Sequence, residues 1–404
     1  MKNKHQEAVN ALAAANGNQS LAARTLGINR CTFRDRLKAA GTLAAVAPVV
    51  AASAPDVEHK LRTLTAEVTR LQSEAITAGA VRHKIVGLAN AIPDASIPDW
   101  LVLPSDDGGM PGVPTLFASD WHAGEVVEPS QIGGVNEFNL EIFERRVRVM
   151  VERAMQLLGI ISPKMDYPGI VFVLGGDMVS GNIHDELAAT NEINTMPTVL
   201  LLYGIISWAI DTLKAAFGKV FIPCVTGNHG RDTHKIWNKD RHATSFDWLL
   251  YVFLEKKYEN DPDVQFLVPD GSDAFYKIYS HRYLLTHGDQ FRGGDSMIGA
   301  LGPITRGDHK KRSRNAQIGM DYDTLIMGHW HQCIFLRKLI VNGSIKGYDE
   351  YAYNSNFAFE PPAQQLWLTH PKHGKTFNMP VFVDEDREYS GKVENWVSVF
   401  SRGK

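Results

Sequence analysis

From Thr115 onward, short apolar runs alternate with polar clusters. Thr115-Leu-Phe-Ala, Ile170-Val-Phe-Val-Leu, Val220-Phe-Ile-Pro-Cys-Val, Tyr283-Leu-Leu and Thr324-Leu-Ile-Met each give way to glycine or polar residues. Short runs bounded by turn residues predict buried strands. Between them, Leu140, Phe143, Val147, Val151, Ala154 and Leu158 recur at helical spacing within 139–159. The segment from Met196 to Phe217 does the same, with Pro197 suited to a first turn. After about residue 264 strands predominate, at Val264–Val268, Phe275–Tyr279, Tyr283–Thr286, Leu325–Met327, Cys333–Val341 and Gln365–Leu368. This alternation predicts an α/β domain over 114–404, a two-sheet sandwich with helices outside.

The chain before residue 114 reads differently. Ala8, Leu12, Leu21, Ala22, Leu26, Ile28, Phe33 and Leu37 suit a three-helix core over 1–41. Asn18 to Ser20 supplies caps for the second helix, and Gly27-Ile28-Asn29 a tight turn before the third. Two short helices around such a turn form the layout of helix-turn-helix modules. Residues 42–56, mainly Ala, Val and Pro, read as a linker. Val57, Leu61, Leu64, Val68 and Leu71 then follow heptad spacing within a helix expected over 57–80. That helix is either a short coiled coil, making a homodimer through 57–71, or an amphipathic helix packed on its own chain. Residues 81–113 read as a second linker.

Composition fits a chain of more than one folding unit: 404 residues, 44% hydrophobic and 22% charged. The net charge of −3 is small but uneven. Over 1–41, seven basic side chains against two acidic ones leave +5, and the nine residues 306–314 carry +4. Both are footprints of phosphate contact. Cys31, Cys224 and Cys333 fit no disulfide framework or zinc-ribbon spacing. The Met1 end lacks a signal-like apolar region, and the run Val199 to Ile210 is shorter than a membrane span. The expected location is cytoplasmic, with no membrane partner; for a phage-encoded chain this is the host cytoplasm.

Candidate chemistry sits immediately after the five strands. There the chain reads Ser119-Asp-Trp-His122, Gly175-Gly-Asp177, Gly227-Asn-His229, Thr286-His-Gly-Asp289 and Gly328-His-Trp-His331. Polar loops after strands are where α/β sheets carry chemistry. Asp, His and Asn repeated at five strand ends suit a metal cage assembled from distant pieces. Oxygen and imidazole donors without thiolate favour Mn²⁺, Fe or Zn²⁺. Two such ions about 3.5–4 Å apart would clamp a phosphodiester and activate a bridging water as nucleophile.

Asp-x-His, Gly-Asp, Gly-Asn-His, a single His and Gly-His-x-His, in that order over about 115–370, resemble the calcineurin-like metallophosphoesterase superfamily, most nearly its DNA-repair exonuclease-like branch. The resemblance implies a sandwich of that type. It assigns Asp120, His122 and His331 to a first divalent ion, Asp177 to a bridge, and Asn228, His287 and His329 to a second, with Mn²⁺ the expected metal. His229 would act on the phosphate, stabilising the transition state or protonating the leaving oxygen. Residues 22–33, Ala-Ala-Arg-Thr-Leu-Gly-Ile-Asn-Arg-Cys-Thr-Phe, resemble the Fis-type helix-turn-helix. That resemblance implies DNA contacts from Arg30, Thr32, Arg34 and Arg36.

Two departures stand out. The family usually follows Gly-Asn-His with an acidic residue that orients the histidine; here Gly230 and Arg231 follow, with Asp232 nearby. The family also often places a second acid soon after the Gly-Asp motif, where this chain has 178–186, including His184, which either faces the substrate or lies on a surface loop. Lys310, Lys311 and Arg312 are the candidate cations of the second basic run. The combination predicts a metal-dependent hydrolase of phosphodiester bonds in DNA. The alternatives are a phosphatase or small-molecule phosphodiesterase with dimerising N-terminal helices, and a non-catalytic DNA-binding regulator.

Overall fold

The computed structural model describes residues 2–15, 17–39, 98–102, 112–293 and 299–384. The chain divides into two compact units, Met1–Ala78 and Gly79–Lys404. The linker expected over 42–56 and the helix expected over 57–80, with its proposed dimer contact, lie outside the described residues.

In the first unit, α1 (Lys2–Ala14), α2 (Gln19–Thr25) and α3 (Arg30–Ala39) enclose a small core of Ala8, Ala22, Ala23, Phe33 and Leu37. The Asn18 side chain caps α2, accepting from the Ser20 and Leu21 N–H groups at 3.1 Å each. Asn29 does the same for Thr32 at 2.8 Å ahead of α3. Gly27, at φ +65°, makes the turn that lets α3 cross α2. One expectation needs correcting. Leu21 is 51% exposed, because the inward stripe of α2 runs through Ala22, Ala23 and Leu26.

The second unit opens inside the expected second linker with one helical turn, α4 (Asp99–Val102), whose Leu101 is fully buried. Leu101 docks because its carbonyl accepts the Tyr279 N–H and its side chain joins the core between the sheets. The remaining elements are β1 (Val113–Ala118), α5 (Leu140–Ile161), β2 (Ile170–Leu174), α6 (Asp185–Thr190), α7 (Thr195–Phe217), β3 (Val220–Pro223), α8 (Phe246–Lys257) and β4 (Val264–Leu267). They continue with β5 (Asp273–Ile278), β6 (His281–Thr286), α9 (Leu301–Gln317), β7 (Thr324–Met327), β8 (Ile334–Leu336), β9 (Leu339–Val341), α10 (Glu350–Asn354), β10 (Ala363–His370) and β11 (Gly374–Phe382).

These strands form the expected two sheets, in orders β11-β10-β1-β2-β3-β4 and β5-β6-β7-β9-β8. Strands β1 to β4 run parallel, as do β6, β7 and β9, while β10, β11, β5 and β8 complete the sheets antiparallel. Alternation along each strand separates the layers. Phe117, Val171, Val173 and Phe221 face Tyr276, Tyr283, Leu285, Ile326 and Ile340 between the sheets. Leu116, Ala118, Ile170, Phe172 and Leu174 point the other way, into the layer of α5, α7 and α8. By length and composition α7 would pass for a membrane span, yet its Leu202, Ile206, Ala209, Ile210 and Leu213 are wholly buried in that layer.

Three differences from the sequence reading have physical causes. Residues 333–341 form the hairpin β8–β9 instead of one strand, with Leu336 paired to Leu339 across a two-residue turn. β11 carries Pro380, which discourages a strand reading, but it lies at the sheet edge where proline is tolerated. α9 was hidden because its exposed faces are so highly charged.

Candidate metal centre

All five chemistry-bearing loops leave the C-terminal ends of parallel strands: Asp120 and His122 after β1, Asp177 after β2, Asn228 and His229 after β3, His287 after β6, and His329 and His331 after β7. The first three strands belong to one sheet and the last two to the other, so the loops meet at one end of the sandwich. The first two loops are zipped together by Asp120 N–H to Gly176 O, His122 N–H to Asp177 O and Ala123 N–H to Met178 O, each 3.0 Å. Several bonds cross between the sheets, two of them at the loops. His329 N–H donates to Asp120 Oδ1 at 2.8 Å, and His287 Nδ1 lies 2.9 Å from the Gly175 carbonyl.

Six of the seven expected ligands converge. Asp120, His122 and His331 place donor atoms within 4.8 Å of one another, as do Asp177, His287 and His329. The two imidazole Nε2 atoms of His122 and His331 are 3.1 Å apart, and Asp177 Oδ2 is 2.9 Å from His287 Nε2. Asp177 also belongs with His122 and His229 in a third such group, so its carboxylate stands between the two sets. Asp120, His122, Asp177 and His287 form a buried floor, with Asn228, His229, His329 and His331 partly exposed at the mouth.

The backbone is unusual at this place. Asp120, His122, Asp177, His329 and His331 have φ of 55°, 46°, 52°, 70° and 53°. The left-handed region is costly for residues with a Cβ, and such strain gathers at functional sites. Gly227 and Gly328 are required for a different reason: a Cβ at either would collide with the carboxylate of Asp177 or Asp120.

Burial weakens two of these histidines as bases, which favours the neutral ring with a lone pair to donate. His122 is held well below its ordinary value by burial, reinforced by the Lys346 charge, and burial brings His329 to about 4. His287 goes the other way. Burial disfavours its proton, but the Asp177 carboxylate more than compensates and raises it to about 10.

The residues fit divalent ions. The donors are carboxylate, imidazole and amide oxygen; Asn228 Oδ1 is buried with no hydrogen-bond partner, a costly state that a cation would relieve. His229 lies outside the expected ligand sets, with Nδ1 2.9 Å from the Ser180 carbonyl, and burial lowers its pKa. That carbonyl orients the ring in the absence of an acid at 230, leaving Nε2 toward the centre. His184 is exposed but sits edge-on to His229, with ring centroids 6.1 Å apart.

Several residues that matter here were not singled out. Asp247, at the start of α8 and fully buried, accepts from Asp177 N–H at 3.0 Å, Met178 N–H at 3.2 Å and Gly227 N–H at 2.9 Å. Burial, with the nearby Asp177 charge, raises its pKa to about 6. A Cβ at 230 would lie 2.9–3.1 Å from this carboxylate, so Gly230 makes room for Asp247. Arg241 forks onto Asp289 at 2.9 and 3.1 Å and reaches Gly227 O at 3.1 Å, clamping the third and fourth loops. Lys346, buried, joins Glu125 at 2.8 Å and Asp349 at 2.5 Å beside His122. The signal for Asp247 was an acid inside an apolar helix; Lys346 gave none.

The candidate nucleic-acid contacts divide. In the first unit Arg34 is exposed, while Thr32 and Arg36 are partly buried; the Arg30 side chain lies outside the described residues. On α9, Lys310 is exposed, but Lys311 is buried against Asp273 at 2.6 Å. Arg312 bonds Asp308 at 2.9 Å and the Tyr322 and Lys338 carbonyls at 2.8 Å. Lys311 and Arg312 hold α9 to the domain.

The family described as "Bacterial regulatory protein, Fis family" matches residues 9–39. No curated protein matches the chain. Among solved structures, it is similar to a conserved uncharacterized protein, titled a predicted phosphoesterase, from Streptococcus pneumoniae, at 9% identity and a TM-score of 0.25 over 67% of this chain and 99% of that one. It is also similar to a single mutant of Vps29 from Entamoeba histolytica, at 12% identity and a TM-score of 0.28 over 66% of this chain and 99% of that one.

Proposed function

We propose that this chain is a metal-dependent phosphoesterase that hydrolyses phosphodiester bonds in DNA. One observation carries the reading: seven Asp and His residues from five loops, more than 200 positions apart at the extremes, bring their donor atoms together in three overlapping groups, two of which share Asp177. Asp120, His122 and His331 would hold one divalent ion, and Asn228, His287 and His329 the other, with Asp177 shared and Mn²⁺ the metal of first choice. Such ions neutralise phosphate charge and supply an activated water.

The chain's own residues do the rest. His229, fixed through Nδ1 by Ser180 O, directs Nε2 at the mouth. A phosphodiester anion bound there adds negative charge, which favours the imidazolium and so provides the proton a leaving oxygen needs. Asp247 and Arg241 keep the loops that carry Asp177 and Asn228 in place. The Fis-type match and the basic surface of α3 support DNA as the polymer.

The test compares the full chain with Asp177→Asn on bis-p-nitrophenyl phosphate, p-nitrophenyl phosphate and linear DNA with Mn²⁺. Diester and DNA cleavage that falls at least about 10³-fold in the variant is expected. Cleavage of the monoester alone would make the protein a phosphatase. Full activity in the variant would remove the metal centre.

A further inference from the structure

The loop that delivers His287 continues through Gln290, Phe291 and Arg292 into the wall of a groove beside α9, with a volume of about 250 Å³. Among the described residues the groove is lined by five cations, Arg292, Arg306, Lys310, Lys311 and Arg314, and by no acid. Arg306, Lys310 and Arg314 follow one another four residues apart on α9, which places them on one stripe at steps of about 6 Å. All three, and Arg292, are exposed, although Arg306 and Arg314 also have partners within the chain, Asp273 at 3.0 Å for Arg314. The neighbouring stripe, with Lys311 and Arg312, is spent on internal bonds, so α9 is anchored by one row of its basic run and presents another. Phe291 lies along the groove, and Gly307 admits it: a Cβ there would meet the ring at 2.5–2.8 Å.

We infer that this groove binds the phosphodiester backbone of a nucleic-acid strand whose scissile phosphate lies at the candidate metal centre. The inference rests on the reading proposed for that centre and adds how a long substrate is held. A row of cations at regular steps suits a repeating charge better than a single phosphate. From His287 to Arg292 there are only five residues, at most about 18 Å of chain, so one short stretch of strand reaches both.

Binding is measured with the full chain in EDTA, using a labelled single-stranded oligothymidylate of about eight nucleotides, a length within the range of single-strand sites. It offers no major groove to the N-terminal helices. Wild type is compared with Arg292→Ala/Arg306→Ala/Lys310→Ala by fluorescence anisotropy across salt concentrations. Kd is expected to rise at least tenfold, and the slope of log Kd against log salt to flatten by about 2, since each neutralised single-strand phosphate contributes about 0.7. Thermal midpoints report that the fold is intact, and Lys310→Glu alone is expected to weaken binding more than Lys310→Ala. Equal affinity and slope for wild type and the triple variant overturn the inference. Set beside the Asp177→Asn assay, the two claims separate. Small-diester hydrolysis with indifferent oligonucleotide binding removes the groove and keeps the centre. Groove-dependent binding by a chain that hydrolyses no diester removes the catalytic reading and keeps the groove.

Discussion

The Asp247 carboxylate takes N–H bonds from Asp177, Met178 and Gly227 and has no exposed surface. Removing an acceptor from buried donors costs about 1–3 kcal/mol for each group left unsatisfied. Asp247→Ala should therefore lower the melting temperature by several degrees. It should also reduce kcat at least about tenfold with little change in KM, because a brace acts on ligand placement more than on substrate contact. Asp247→Asn keeps the volume but turns an NH₂ toward one N–H group, and should fall between. A stability loss with kcat untouched would reduce Asp247 to a packing residue. The candidate ligands were legible because Asp, His and Asn directly after apolar runs have few structural reasons to be there. Asp247 was not, since the N–H groups it satisfies lie 70 and 20 positions away.

Elements show the same division between local and distant causes. β1, β2, β3 and β7 were readable because their apolar runs are buried on both faces, and α5 and α7 because each has a broad apolar stripe. α8 and α9 follow no such pattern, because each carries charge into partly buried positions. On α8, burial raises the Glu255 carboxyl from 4.5 to about 7. The folded chain then holds this proton more tightly than the unfolded chain, so the stabilisation is complete below about pH 4.5 and declines as pH rises to about 7. Glu255→Gln should thus raise the melting temperature at pH 8 and leave it nearly unchanged at pH 4.5. Equal shifts at both pH values would show that burial does not perturb this group.

At the scale of the whole molecule, the chain joins a small basic helical unit to a large α/β unit, and each can be tested in the presence of the other. Arg34→Ala/Arg36→Ala should weaken binding of a duplex and flatten its salt slope by about 2, near 0.9 for each phosphate no longer neutralised. Turnover of bis-p-nitrophenyl phosphate should be unaffected. A duplex affinity indifferent to both substitutions would leave the first unit without its expected partner. The contrast between basic runs also belongs here: net charge along a sequence marked both, but only the helical phase of α9 separates the cations that hold the fold from those turned outward.

The left-handed backbone at Asp120, His122, Asp177, His329 and His331 has a consequence for how this sequence can change over time. At each position glycine would relieve strain on the order of 1 kcal/mol or more, and asparagine part of it. Drift toward a more stable chain therefore runs through the same five positions as loss of the centre. A copy released from selection would be drawn to Gly or Asn there before its core or its surface had visibly decayed.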